Sequence, residues 1–163
     1  MRLIKTLLPT IALFIVMTLP AAADSGYALG WTYMPMAAGF TVKIPISQEL
    51  SIQPVFSVSL YDGDGQTEDS YSVGLRGTYS LPVLRQVHPY LGLGLGHQRS
   101  FLGADLSQTI VDESRTGATA FIGLEYRKYA LRPAVELGLT ALRRTDGSFR
   151  VGNSINAGIY YYF

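Results

Sequence analysis

The feature that most constrains this chain is a period of two that runs from about residue 26 to residue 163. In FRVGNSINAGIYYYF (149–163), Phe149, Val151, Ile155, Ala157, Ile159, Tyr161 and Phe163 fall on one parity, with Asn153 the exception. Arg150, Gly152, Ser154, Asn156, Gly158, Tyr160 and Tyr162 fall on the other. Successive strand side chains point to opposite faces, so this segment predicts a strand with one apolar face and one polar or small face. The same alternation recurs upstream, as in Leu91, Leu93 and Leu95 against Tyr90, Gly92, Gly94 and Gly96. It predicts eight strands, at about 26–34, 38–47, 50–61, 70–81, 89–99, 116–128, 131–143 and 149–163. The first could be read as a membrane helix, but its glycines, Pro35 and aromatic alternation argue against that. Pro45 and Pro54 weaken their strands locally.

Alternation alone does not say which face is inside. A soluble, lipocalin-like barrel would turn its polar face to water, and that face should be rich in Lys, Glu and Asp. Charged residues make up only 15% of this chain, and the polar parity holds mainly Gly, Ser and Thr. Such a face suits a narrow interior better than a water-facing surface. The other face is nearly pure Leu, Val, Ile, Phe, Tyr and Ala, as a lipid-facing band should be. The expected fold is an all-β, eight-stranded, antiparallel up-and-down transmembrane barrel over residues 24–163.

Residues 1–23 read as a signal peptide: basic Arg2 and Lys5, an apolar stretch from Leu7 to Leu19, then a small-residue site ending at Ala23. An uncleaved anchor is the alternative, although the apolar run is short for a span. The first 23 residues hold two of the 13 basic residues and none of the 12 acidic ones. The remainder therefore carries a formal charge of −1, which gives no reason to expect nucleic acid as a partner. There is no cysteine, hence no disulfide framework or thiolate metal site.

The connections predict an orientation. Those near Gln48-Glu49 and Tyr129-Ala130 are short and Pro82–His88 is intermediate, whereas 62–69 and 100–115 are longer and more polar. Short turns belong at the periplasmic end of an outer-membrane barrel and longer loops outside. An even strand count puts both ends of the chain at the short-turn end, and the Met34–Ala37 and Thr145–Ser148 connections outside. Aromatic girdles line both interfaces of such barrels. The candidates are Tyr27, Trp31, Tyr79, Tyr126, Tyr161 and Phe163.

Phe163, preceded on the same face by Tyr161, Ile159 and Ala157, resembles the C-terminal signal read by the outer-membrane barrel assembly machinery. PYLGLGLG (89–96) and FIGLEYR (121–127) resemble segments of the small eight-stranded OmpA/OmpX/opacity-type barrels. The resemblance implies outer-membrane location, assembly through Phe163, and contact with outer-membrane lipids and lipopolysaccharide. It implies no substrate. The expected protein is a monomer without cofactor or metal and without enzymatic activity.

Candidate chemistry is concentrated on the inward parity. Lys43, Arg76, Glu125, Arg127, Arg132 and Glu136 share it, with Arg144 and Arg150. An eight-stranded barrel is just wide enough for side chains to fill, and buried charges need partners. Glu125 and Glu136 should pair with some of the cations, either as a static plug or as a gate whose re-pairing opens a thin water path for small solutes or ions. Lipid A deacylases resemble this chain in size, which draws attention to His97 and Ser100 in GHQRS. Those two have opposite parity, however, and lack an obvious carboxylate partner, whereas a nucleophile needs a base within hydrogen-bond reach. His97 is expected at the outer rim and His88 in a turn. Asp62, Asp64, Glu68 and Asp69 form an acidic loop that does not match a calcium-loop spacing. Residues 101–115, with Phe101, Leu102, Ile110 and Val111, are the best candidates for partner contact, with folding over the barrel mouth as the alternative.

Overall fold

The computed structural model describes residues 26–63, 66–82, 84–104 and 111–163. The signal-peptide expectation, Asp64, Gly65 and Ile110 lie outside the described residues. Eight strands follow in order: β1 (Ala28–Met34), β2 (Ala37–Pro45), β3 (Leu50–Gly63), β4 (Gln66–Ser80), β5 (Val87–Ala104), β6 (Val111–Tyr126), β7 (Leu131–Arg144) and β8 (Phe149–Tyr162). Each pairs antiparallel with the next, and β8 closes on β1 through Ala28–Tyr162 to Tyr33–Ala157. Closure pairs the edges that an open sheet would leave unsatisfied in lipid. The ladder between β2 and β3 is carried on either side of Pro54, by Phe40–Phe56 and Thr41–Val55 and by Ile44–Ile52 and Pro45–Ser51.

The two faces separate by parity. Leu93, Leu95, Val135, Leu137, Leu139, Val151 and Ile155 are exposed on the outer wall. Gln53, Arg76, Thr78, Glu125, Glu136, Thr140 and Asn156 are buried inside. Apolar outside and polar inside inverts the soluble arrangement and matches a lipid-embedded wall.

Two segments read as loops are largely strand. The β3–β4 ladder continues through Leu60–Asp69 and Asp62–Thr67 to Gly63–Gln66, so the described part of the acidic segment is strand. The β5–β6 ladder runs out to Leu102–Val111. Polar residues suggested loops here, but a ladder standing clear of a bilayer satisfies its own backbone and needs no apolar face. His88 is likewise a strand residue, buried on the inner face of β5 and paired across the ladder with Glu125. The β1–β2 connection turns inward: Met34, Met36 and Ala37 are buried with Val55, and Leu142 packs against them.

Candidate functional site

The interior is a stack of side-chain layers. At the end where the short turns lie, Glu125 of β6 is the centre. Tyr162 of β8 donates its hydroxyl to Glu125 Oε2 at 2.8 Å, and Lys43 Nζ of β2 donates to the same oxygen at 3.1 Å. Lys43 Nζ also lies 2.7 Å from the Tyr162 hydroxyl oxygen. The Arg132 and Arg127 guanidinium groups stand 3.7 and 3.9 Å from Glu125 Oε1. Arg132 lies over the Tyr162 ring at 3.8 Å, and Lys43 lies within 5.4–5.8 Å of the Tyr90, Tyr160 and Tyr162 ring centres. These rings lend cation–π attraction to charges that carry little water.

The next layer centres on Glu136 of β7, which Arg76 of β4 meets through Nη2. Tyr90 donates to Glu136 Oε1 at 2.7 Å and Asn156 Nδ2 donates to Oε2 at 3.2 Å. The other Arg76 nitrogen, Nη1, donates to Thr32 Oγ1 and, at 3.1 Å, to the Tyr160 hydroxyl. The Arg76 guanidinium lies 4.7 Å from the Phe121 ring centre. Arg76, Glu125 and Glu136 are each 1% exposed, so each charge relies on these partners. Further along, Thr119, Thr140 and Ser154 share hydroxyl contacts of 2.8–3.0 Å, and Met34 and Met36 are buried with Ala37 and Val55.

Six of the eight inward charges named from the sequence meet in these two layers, although Arg127 stands at the mouth with its side chain about one-third exposed. Arg144 and Arg150 sit at the opposite rim, half-buried and exposed, outside both layers. Sequence reasoning missed as partners Tyr90, Tyr160, Tyr162, Thr32, Asn156 and Gln53, whose Oε1 accepts from the Tyr160 hydroxyl at 3.4 Å. Their signal was present, because all six have the inward parity.

A cavity of about 570 Å³ opens at the short-turn end. Lys43, His88, Arg127 and Tyr162 line it, with Ser51 and Glu49. Among the described residues no cluster of three or more His, Asp or Glu could hold a metal ion.

On the outer wall Tyr27, Tyr79 and Tyr126 are exposed, while Tyr161 and Phe163 are partly covered. Trp31 lies midway along β1, its ring 4.9 Å from that of Phe40 and edge-on to it. His97 faces outward, with Nδ1 2.7 Å from Thr116 Oγ1 and its ring beside Tyr71. Ser100 has the opposite parity on the same strand, so the two do not form a nucleophile and base.

Among solved structures the chain is similar to Neisserial surface protein A, with TM-score 0.53 and 18% identity over 84% of this chain and 93% of that one. It is also similar to the N-terminal β-barrel domain of Pseudomonas aeruginosa OprF, with TM-score 0.50 and 13% identity over 83% and 95%. This chain has the fold of the small eight-stranded outer-membrane β-barrels. No protein-family model matches it, and no curated protein does either. At this identity the likeness speaks for the barrel alone. What its interior and rims do must be argued from its own residues.

Proposed function

We propose that this protein resides in the outer membrane of a Gram-negative-type envelope as a structural, surface-presenting barrel without enzymatic activity. The observation that carries the reading is the outer wall, where exposed Leu, Val, Ile and Phe side chains circle the closed sheet. Water would disfavour that wall by about 25 cal/mol for each Å² of apolar surface, whereas lipid would not. The long β3–β4 and β5–β6 hairpins would stand outside and present their tips to partners. Phe163 would be the residue read by the assembly machinery, after export through the periplasm.

The two buried charge layers and the buried methionines favour an anchor over a channel. The opposed faces of His97 and Ser100 lend no support to lipid A modification through that pair. The deciding experiment is a denaturing gel of the outer-membrane fraction, boiled and unboiled. A heat-dependent mobility shift is expected, because a closed ladder resists detergent until heated. A soluble protein with no shift would overturn the reading. Silent planar bilayers are expected from the purified barrel, and stepwise conductance would replace the anchor with a channel.

A further inference from the structure

Charge is balanced in one interior layer and not in the other. In the Glu136 layer one carboxylate meets one guanidinium, that of Arg76. In the Glu125 layer one carboxylate faces three cations, Lys43, Arg132 and Arg127, at 3.1, 3.7 and 3.9 Å. Among the described residues of that layer, two positive charges are therefore left over. Of the three cations only Lys43 hydrogen-bonds the carboxylate. Arg132 donates through Nε to the Tyr129 carbonyl oxygen at 3.3 Å. Neither Arg132 Nη1 nor Glu125 Oε1 has a hydrogen-bond partner among the described residues. Cations drawn away from bulk water need a counter-charge, and one carboxylate shared three ways does not supply it.

The cavity at the short-turn end meets this surplus. Register builds its wall: Lys43 of β2, Ala28 of β1 and Tyr162 of β8 share one rung, and His88 of β5 shares another with Glu125 of β6. Arg127 follows two residues nearer the turn, with its side chain about one-third exposed. Lys43, Arg127, His88 and Tyr162 all line the cavity, whereas Glu125 is buried and does not. Glu49 is the one acid among the lining residues. It is exposed in the β2–β3 turn, where it accepts from the Ser47 hydroxyl at 3.3 Å. The space of about 570 Å³ is ample for a small ligand and its water.

We propose that this cavity binds a soluble oxyanion of the phosphate class, with Lys43 and Arg127 as its charged contacts. A phosphate group carries about −1.5 to −2 at neutral pH, which matches the two positive charges left over. A guanidinium offers it paired N–H donors and a lysine offers a point charge. The bound anion supplies the counter-charge that Glu125 alone does not. The site goes beyond the anchor reading, and only its facing the periplasm rests on that reading.

The test titrates the full barrel, in uncharged detergent, into inorganic phosphate and follows the phosphorus NMR signal. The parent should give a saturable shift. Arg127→Gln should weaken the affinity roughly five-fold, the loss of a partly exposed hydrogen bond to a charged group. Glu125→Gln should tighten it, because that carboxylate competes for the same cations; a merely structural role for Glu125 predicts no gain. Arg150→Gln, at the opposite rim, should leave it unchanged. The heat-dependent gel shift reports whether each variant is a closed barrel, and if Glu125→Gln is not, Arg127→Gln decides alone. Sulfate should displace phosphate, and chloride at the same ionic strength should not. No saturable shift in the parent, or parent-like affinity in Arg127→Gln, would overturn the site. Chloride as effective as sulfate would overturn its assignment to oxyanions. A short-chain phosphatidylglycerol that binds more tightly than phosphate would overturn the soluble ligand in favour of a lipid headgroup. A parent chain without a heat-dependent shift would instead fail the outer-membrane reading, so the two failures are distinguishable.

Discussion

The Tyr90 hydroxyl donates to Oε1 of Glu136 at 2.7 Å, and Arg76 engages that same oxygen. With Asn156 on the other oxygen, one carboxylate ties together β4, β5, β7 and β8 across the barrel. These contacts link β4 to β7 and β8 across the interior, strands that are not neighbours in the barrel and share no ladder. A buried carboxylate held in this way fixes the interior as one packed unit, and it leaves each partner dependent on the others.

Glu136→Gln should therefore destabilise the barrel by about 3–5 kcal/mol, because it strands the buried Arg76 charge. Adding Arg76→Met should recover most of the loss, since the pair is then replaced and not broken. Urea unfolding in lipid vesicles, followed through Trp31, the single tryptophan, would measure both. A Glu136→Gln barrel as stable as the parent would show that the carboxylate charge does not hold Arg76.

The run Tyr160-Tyr161-Tyr162 should split by parity. Tyr162→Phe removes the hydroxyl that donates to Glu125 and should cost about 1.5–3 kcal/mol, the range for hydrogen bonds to charged groups. Tyr161→Phe, on the outer wall, should stay within about 0.5 kcal/mol. Equal effects in the same unfolding assay would mean that the hydroxyl of Tyr162 adds nothing inside.

The barrel was legible because its period of two is strict over most of its length, and parity assigns a face without any knowledge of neighbours. Strand ends were less so. Asp62, Glu68 and Asp69 looked like loop residues, yet their ladder persists, because backbone pairing outside lipid does not require apolar side chains. Inside, the charges were legible as a group but their partners were not. Which cation meets Glu125 depends on strand tilt and side-chain reach across the barrel, and neither is written in parity. The tyrosines were missed for a simpler reason: Tyr160 and Tyr162 look like membrane rings until their inward parity is taken at face value. Met36 gave no signal at all, since a turn that folds into the mouth has the same sequence as one that stands clear.

The β7–β8 turn carries a local pH dependence. Hydrogen bonds from the Ser148 side chain and its backbone N–H, the latter at 2.8 Å, hold the Asp146 carboxyl below the usual carboxylate range. A carboxyl lowered on folding stabilises the turn above the ordinary aspartate pKa and loses that contribution as pH falls through the lowered value. Ser148→Ala should move the Asp146 midpoint upward in a carboxyl NMR titration. An unchanged midpoint would mean that the side chain of Ser148 does not contribute.

Gly92 and Gly77 lie on adjacent strands and should respond oppositely to a methyl group. A Cβ on Gly92 would point inward, against the Phe121 ring and 2.9 Å from the Gly77 carbonyl oxygen. Phe121 is itself confined by Tyr90, at 6.3 Å between ring centres, and by Arg76, so it has little room to retreat. Gly92→Ala should thus cost about 1–3 kcal/mol through overpacking. A Cβ on Gly77 meets nothing within 4 Å, because that residue faces outward. Gly77→Ala should be neutral or stabilise by about 0.4–1 kcal/mol by restricting the unfolded chain. The contrast is read from urea midpoints in vesicles, and a Gly92→Ala barrel as stable as Gly77→Ala would mean that the ring layer is loose enough to admit a methyl group.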